Sequence, residues 1–196
     1  MFKLIWNLLA LLGLVIVAGI VALGVLQGCS IMNLKNFAPK SAEVYINRAK
    51  TLIETGNAAE ATVWMVPVEE GLSWEEVEDT MRFVANEHNI KNVGELPLSE
   101  QVQLMTGEEQ RFLKIYMFCN PLTAANMFEY SVAFSAYLPC RISLIEDTDG
   151  KLWIYTLNMD MMIHGGTPLP EELRAEAIQV KEIMLDIMNR GASGEF

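Results

Sequence analysis

The chain opens on a run with no polar side. Positions 8–26 are nineteen consecutive apolar or glycine residues, and no charged residue occurs from position 4 through 34. As a helix the run is about 28 Å long, close to the thickness of a bilayer's hydrocarbon core. A core helix of a soluble domain keeps one polar face, and this run has none. The pattern therefore predicts a single membrane segment, with residues 1–30 as an anchor. From there on the pattern is amphipathic. Ser41 can cap a helix running to about Thr55, with Val44, Ala49, Leu52 and Ile53 apolar and Gly56 as its stop. Residues 31–60 then form a helical stalk or linker, which either stands free or packs on the domain that follows.

Residues 61–196 alternate strand and helix signals. Positions 62–68 are rich in β-branched and aromatic residues, and Pro67 places the end of that strand at a sheet edge. Ser73-Trp74-Glu75-Glu76 is a capping box, and Trp74, Val77, Met81 and Val84 recur with helical spacing behind it. Pro97 and Ser99 introduce a short helix to Thr106, closed by Gly107, and positions 112–118 read as the next strand. Positions 119–139 form a connection with a helical turn at 124–130. Strands at 140–146 and 152–157 flank Asp147-Thr148-Asp149-Gly150, whose Asp-Gly pair suits a tight hairpin. In the Met-rich stretch that follows, Met159, Met161 and Ile163 alternate as in a strand. Pro168 and Pro170 open a final helix striped by Ile183, Met184, Ile187 and Met188, with Gly191 as its expected end. The order strand, helix, several strands, helix predicts an α+β domain with an antiparallel or mixed sheet and its helices on one face.

Charge narrows the partners. The chain carries 14 Lys+Arg against 25 Asp+Glu, and all but Lys3 of these lie beyond the anchor, leaving 13 − 25 = −12 there. Nucleic acid is excluded as an expected partner, because binding a phosphate backbone relies on Lys/Arg patches. Orientation in the membrane has two opposed signals. Lys3 precedes the segment while Lys35, Lys40, Arg48 and Lys50 follow it, which favours a cytoplasmic domain by the positive-inside rule. The very short N-terminal tail and the sequence Leu26-Gln27-Gly28-Cys29, which approximates a lipoprotein signal with Cys29 as the lipidated residue, favour export. The expectation adopted is a single-pass protein of the cell membrane with its domain periplasmic or extracellular. An uncleaved anchor is preferred to the lipoprotein, because the apolar run exceeds the 7–15 residues of a signal-peptide core.

Three short segments carry a resemblance. Tyr116-Met117-Phe118-Cys119-Asn120-Pro121, then Leu138-Pro139-Cys140-Arg141, then Asp149-Gly150-Lys151 before an aromatic strand together resemble the family catalogued as domain of unknown function 302. The resemblance covers residues 61–193, and Cys119 stands where the family usually has glycine. It implies a TATA-binding-protein-like β-α-β4-α fold, commonly a homodimer, with no agreed substrate.

The chemistry available is sparse. His88 and His164 are the only histidines, and no Cys-x-x-Cys, His-Glu-x-x-His, Gly-x-Ser-x-Gly or phosphate-cradling glycine loop occurs. No nucleophile is set beside a base, so a catalytic role is not the expectation. His88 suits the C-terminal end of a helix dipole. His164, beside two glycines and several methionines, is the one candidate metal ligand, able to hold the iron of a non-covalent haem b. Cys119 and Cys140, at the end of one strand and the start of the next, are either a disulfide or redox pair or two separate buried thiols. Asn120 and Arg141 can line a shared pocket in which a forked guanidinium takes an anionic group. The reading is a membrane-anchored binding or accessory module for an unidentified small ligand or partner protein, with Asn120, Arg141 and His164 as its binding residues. The alternative is a redox protein, through haem at His164 or thiols at Cys119 and Cys140.

Overall fold

The computed structural model describes residues 2–26 and 34–196. Cys29 lies outside the described residues. The first helix, α1, is Phe2–Leu26. Its described side chains over 10–22 are all exposed. Among the described residues no helix is long and apolar enough to cross a membrane.

Helix α2, Ser41–Thr55, ends at Gly56 in the left-handed region, as its sequence predicts. Its start differs from the expectation. Lys40 holds the cap position, and Ser41 instead donates its hydroxyl to the carbonyl of His164 at 2.6 Å. The Tyr45 hydroxyl reaches the Gly165 carbonyl at 2.8 Å, and the Ala38 amide reaches that of Gly166 at 2.8 Å. Helix α2 is therefore docked on the domain by its N-terminal end.

The domain is one five-stranded sheet, β1 (Val63–Pro67), β2 (Lys91–Leu96), β3 (Leu113–Cys119), β4 (Cys140–Glu146) and β5 (Leu152–Leu157), in the order β1-β5-β4-β3-β2. Every neighbouring pair is antiparallel. Between strands run α3 (Trp74–Glu87), α4 (Leu98–Thr106) and α5 (Pro121–Tyr130), and α6 (Asp160–His164) and α7 (Glu171–Ser193) follow β5. One strand, a helix, four strands and a last helix reproduce the order implied by the resemblance, with α4, α5 and α6 as additions. The capping box at Ser73 and Glu76 forms in full, with the Ser73 amide donating to the Glu76 carboxylate at 2.8 Å. In the β4–β5 hairpin the Asp147 carboxylate accepts from the Asp149 and Lys151 amides, and Gly150 takes the positive φ of the turn.

Alternation along the strands sends Tyr116, Phe118, Ile142, Leu144 and Ile154 to one face, where all are fully buried with Val77, Met81, Met184, Ile187 and Met188 of α3 and α7. Ile115, Met117, Ser143, Ile145, Trp153 and Tyr155 occupy the opposite face and are half-buried.

Three further local expectations change. Residues 91–96 form an edge strand that their polar composition did not predict. The stretch after Met159 is helical, so Met159 and Ile163, four apart, are the buried pair, and Met161 does not alternate with them. Gly191 lies inside α7, whose left-handed stop is Gly194. A Cβ on Gly191 would lie 2.6 Å from Met81 Cγ and 3.4 Å from Ile154 Cδ1. The missing side chain lets α7 approach α3 and the sheet.

Candidate functional site

The Asn120-Pro121 dipeptide starts α5. Asn120 is the N-cap, its side-chain oxygen accepting the Leu122 and Thr123 amides at 3.1 and 3.3 Å, and Pro121 fills a first-turn position that needs no amide. Helix α5 and the 3-10 turn Val132–Tyr137 then arch back to β4. Beneath this arch is a narrow cavity of about 50 Å³ lined by Cys119, Asn120, Cys140 and Arg141, with Met127 and Phe134 from the arch and Thr156, Asn158, Met159 and Met162 from the end of β5 and α6. It holds a few water-sized groups and is much smaller than a drug-sized pocket.

Four of the residues singled out by sequence therefore meet. Cys119 is an ordinary strand residue: Asn89 is the only non-glycine with positive φ among the described residues. Cys140 is paired with Phe118, so Cys119 lies one residue beyond it in register. Both thiols are free. Burial pushes the Cys119 thiol up, and burial together with the neighbouring Cys119 pushes Cys140 up to about 11, against a smaller opposing pull from Arg141. Arg141 is exposed at the rim and forms no ion pair among the described residues.

His164 is not part of this cavity. It ends α6 and lines a separate groove of about 480 Å³ between α2 and the domain, with Arg48, Trp64, Asp160 and Lys181. Burial lowers its imidazole pKa, outweighing the pull of Asp160. Met161, a neighbouring candidate for a second metal ligand, turns its sulfur to the Arg48 guanidinium. Among the described residues no three His, Cys, Asp or Glu side chains gather as a metal site. His88 closes α3, and its Nε2 lies 2.7 Å from the Asp186 carboxylate.

Sequence reasoning missed one cluster altogether. Glu78 of α3 is nearly buried and accepts from the Tyr116 hydroxyl at 2.6 Å and the Lys114 ammonium at 2.8 Å. Arg82 pairs with Glu78 and, at 2.6 Å, with Glu95, which also takes Lys114 at 2.9 Å. Only the i,i+4 spacing of Glu78 and Arg82 was visible beforehand. Two carboxylates and two cations balance, and no buried polar side-chain atom among the described residues is left without a partner. The cluster is a structural brace between α3, β2 and β3.

The profile of the family described as "Domain of unknown function DUF302" matches residues 64–191, almost the whole of the sheet and its two main helices. The chain belongs to the DUF302 family. A crystal structure described as an uncharacterized conserved DUF302 protein from Bacillus stearothermophilus has the same fold, with a TM-score of 0.55 and 16% identity over 66% of this chain and 97% of that one. No functionally curated protein matches the chain. In this DUF302 domain the cavity lies where the family-like segments 116–121 and 138–141 converge.

Proposed function

We propose that this DUF302 protein is a membrane-anchored binding module, its domain outside the cytoplasm, whose binding site is the cavity formed by Cys119, Asn120, Cys140 and Arg141. The observation that carries the reading is the convergence of these four residues on one cavity whose only charged lining group, Arg141, has no partner among the described residues. Binding is favoured over thiol catalysis because both thiols are pushed up and stay protonated near neutral pH, where a thiol is a poor nucleophile. The anchor is supported by the charge-free run at 4–34 and by helix α1, whose 25 residues at 1.5 Å each extend about 37 Å. A second copy covering the open sheet face belongs to the same proposal, supported by the apolar Ile115, Met117, Ile145, Trp153 and Tyr155 there.

The test has two arms. The full-length protein should stay with membranes through high-salt and alkaline washes, and removal of residues 1–30 should release a folded domain. In a Cys29→Ser background, a small neutral maleimide should label Cys119 under native conditions, and Ala124→Trp, which fills the cavity, should block it. Labelling that Ala124→Trp leaves unchanged would refute the cavity as an accessible site. A Soret band in the purified protein, lost in His164→Ala, would move the assignment to haem in the other groove.

A further inference from the structure

The cavity is lined by an unusual concentration of sulfur. Two of the chain's three cysteines and three of its twelve methionines border the same 50 Å³: Cys119, Cys140, Met127, Met159 and Met162. Among the described residues no carboxylate and no imidazole lines it. Three of the side-chain oxygens present are already engaged, while the Thr123 and Tyr137 hydroxyls also border the cavity. Asn120 caps α5, the Asn158 side-chain oxygen accepts the Asp160 amide at 2.8 Å, and the Thr156 hydroxyl donates to the Arg141 carbonyl at 2.6 Å. Beside those two hydroxyls, the five sulfurs are the cavity's uncommitted lone-pair donors.

Donor type selects the ligand. Hard cations such as Mg²⁺ and Ca²⁺ require oxygen, and zinc sites are built from four thiolate, imidazole or carboxylate ligands, of which two are present here. Paired thiolates supplemented by thioethers are the preference of Cu(I). The volume agrees, since about 50 Å³ suits a single ion and not a drug-sized molecule. We propose, on the reading of this cavity as the binding site, that its ligand is one Cu(I) ion held by the Cys119 and Cys140 thiolates and a thioether from Met159 or Met162. Binding forms three copper–sulfur bonds, two to thiolates and one to the thioether, as the two thiol protons leave to water, with no change in oxidation state. The resulting bis-thiolate carries one negative charge, and the Arg141 guanidinium at the rim offsets it. The flexible methionines adapt to the ion without moving the backbone.

The test uses the full-length chain in detergent, carrying Cys29→Ser and kept anaerobic, with Cu(I) supplied as its bicinchoninate complex. The protein should withdraw one Cu(I) per chain, with X-ray absorption showing sulfur as the metal's neighbours. Cys119→Ser or Cys140→Ser should weaken binding by about 100-fold or more, and the Met159→Leu/Met162→Leu double variant, close to isosteric and expected to fold, by about 10-fold. Withdrawal that is absent, or equal in the Cys119→Ser/Cys140→Ser double variant, overturns the assignment, as does a metal surrounded by nitrogen and oxygen alone. If the maleimide still labels Cys119 and Ala124→Trp still blocks it, the binding module survives that result and only its ligand is wrong. If the labelling fails too, both readings fall.

Discussion

The Tyr116 hydroxyl, fully buried in the middle of the sheet, donates to the Glu78 carboxylate of α3 at 2.6 Å. The bond gives the phenol its partner and joins it to the four-charge brace. Burial, reinforced by Glu78, raises the Tyr116 pKa, so the hydroxyl remains a donor at any working pH. Tyr116→Phe removes one charge-assisted bond and should cost about 2 kcal/mol. Glu78→Ala strips Lys114 and Tyr116 of their shared acceptor and should cost more, about 3–5 kcal/mol. Urea unfolding of the domain released from residues 1–30 measures both, and equal costs would contradict the brace.

Acid should loosen the same brace in a defined window. Burial pushes the Glu95 carboxyl up, but hydrogen bonds from Lys114, Arg82 and Asn92 outweigh it and bring the pKa from 4.5 to about 2. Its folded pKa is thus depressed. The stabilisation is complete above about pH 4.5 and is lost as pH falls towards 2, with about 3 kcal/mol as its upper bound. Glu95→Gln should flatten this acid limb while leaving its neutral-pH slope unchanged.

Gly191 is a packing requirement. Alanine is the better helix former by about 1 kcal/mol, yet Gly191→Ala should destabilise the domain by about 1–3 kcal/mol because its Cβ would meet Met81. Combining it with Met81→Ala, which opens space on the other side, should recover part of that cost relative to additivity. A fully additive double mutant would refute the contact.

The open sheet face makes the oligomer testable. Light scattering of the released domain should give twice the monomer mass, and Ile145→Asp, near the middle of that face, should reduce it to the monomer without changing the circular dichroism. A wild-type monomer at high concentration counts against the second copy.

Legibility in the sequence followed how local each signal was. The β4–β5 hairpin was readable to the residue, because its alternation and its Asp-Gly turn act within a few positions. Strand β2 was not, since Lys91-Asn92-Val93-Gly94-Glu95-Leu96 shows no apolar alternation. A bulge shifts the register between Asn92 and Gly94, and Glu95 is spent on ion pairs made across the fold. Gly191 has the composition of a helix stop, and only the approach of Met81 explains it as an interior residue. At the cavity, Cys119, Asn120, Cys140 and Arg141 were visible through the family-like segments. The contribution of Met127, Met159 and Met162 depended on where α5 and α6 fold back, which no local pattern encodes.

The docking of α2 determines where force enters the domain. A pull on the N-terminal side of the chain reaches Ala38 and Ser41 before it reaches β1, and those residues are fastened to the carbonyls of His164 and Gly166. Tension is thus delivered to the loop after α6 and, through it, to α7 at the centre of the core. β1, an edge strand whose only strand partner is β5, would otherwise be peeled off one hydrogen bond at a time. The short contact at 164–166 is a strain relief, so a pull on the N-terminal side does not unzip the sheet from its edge.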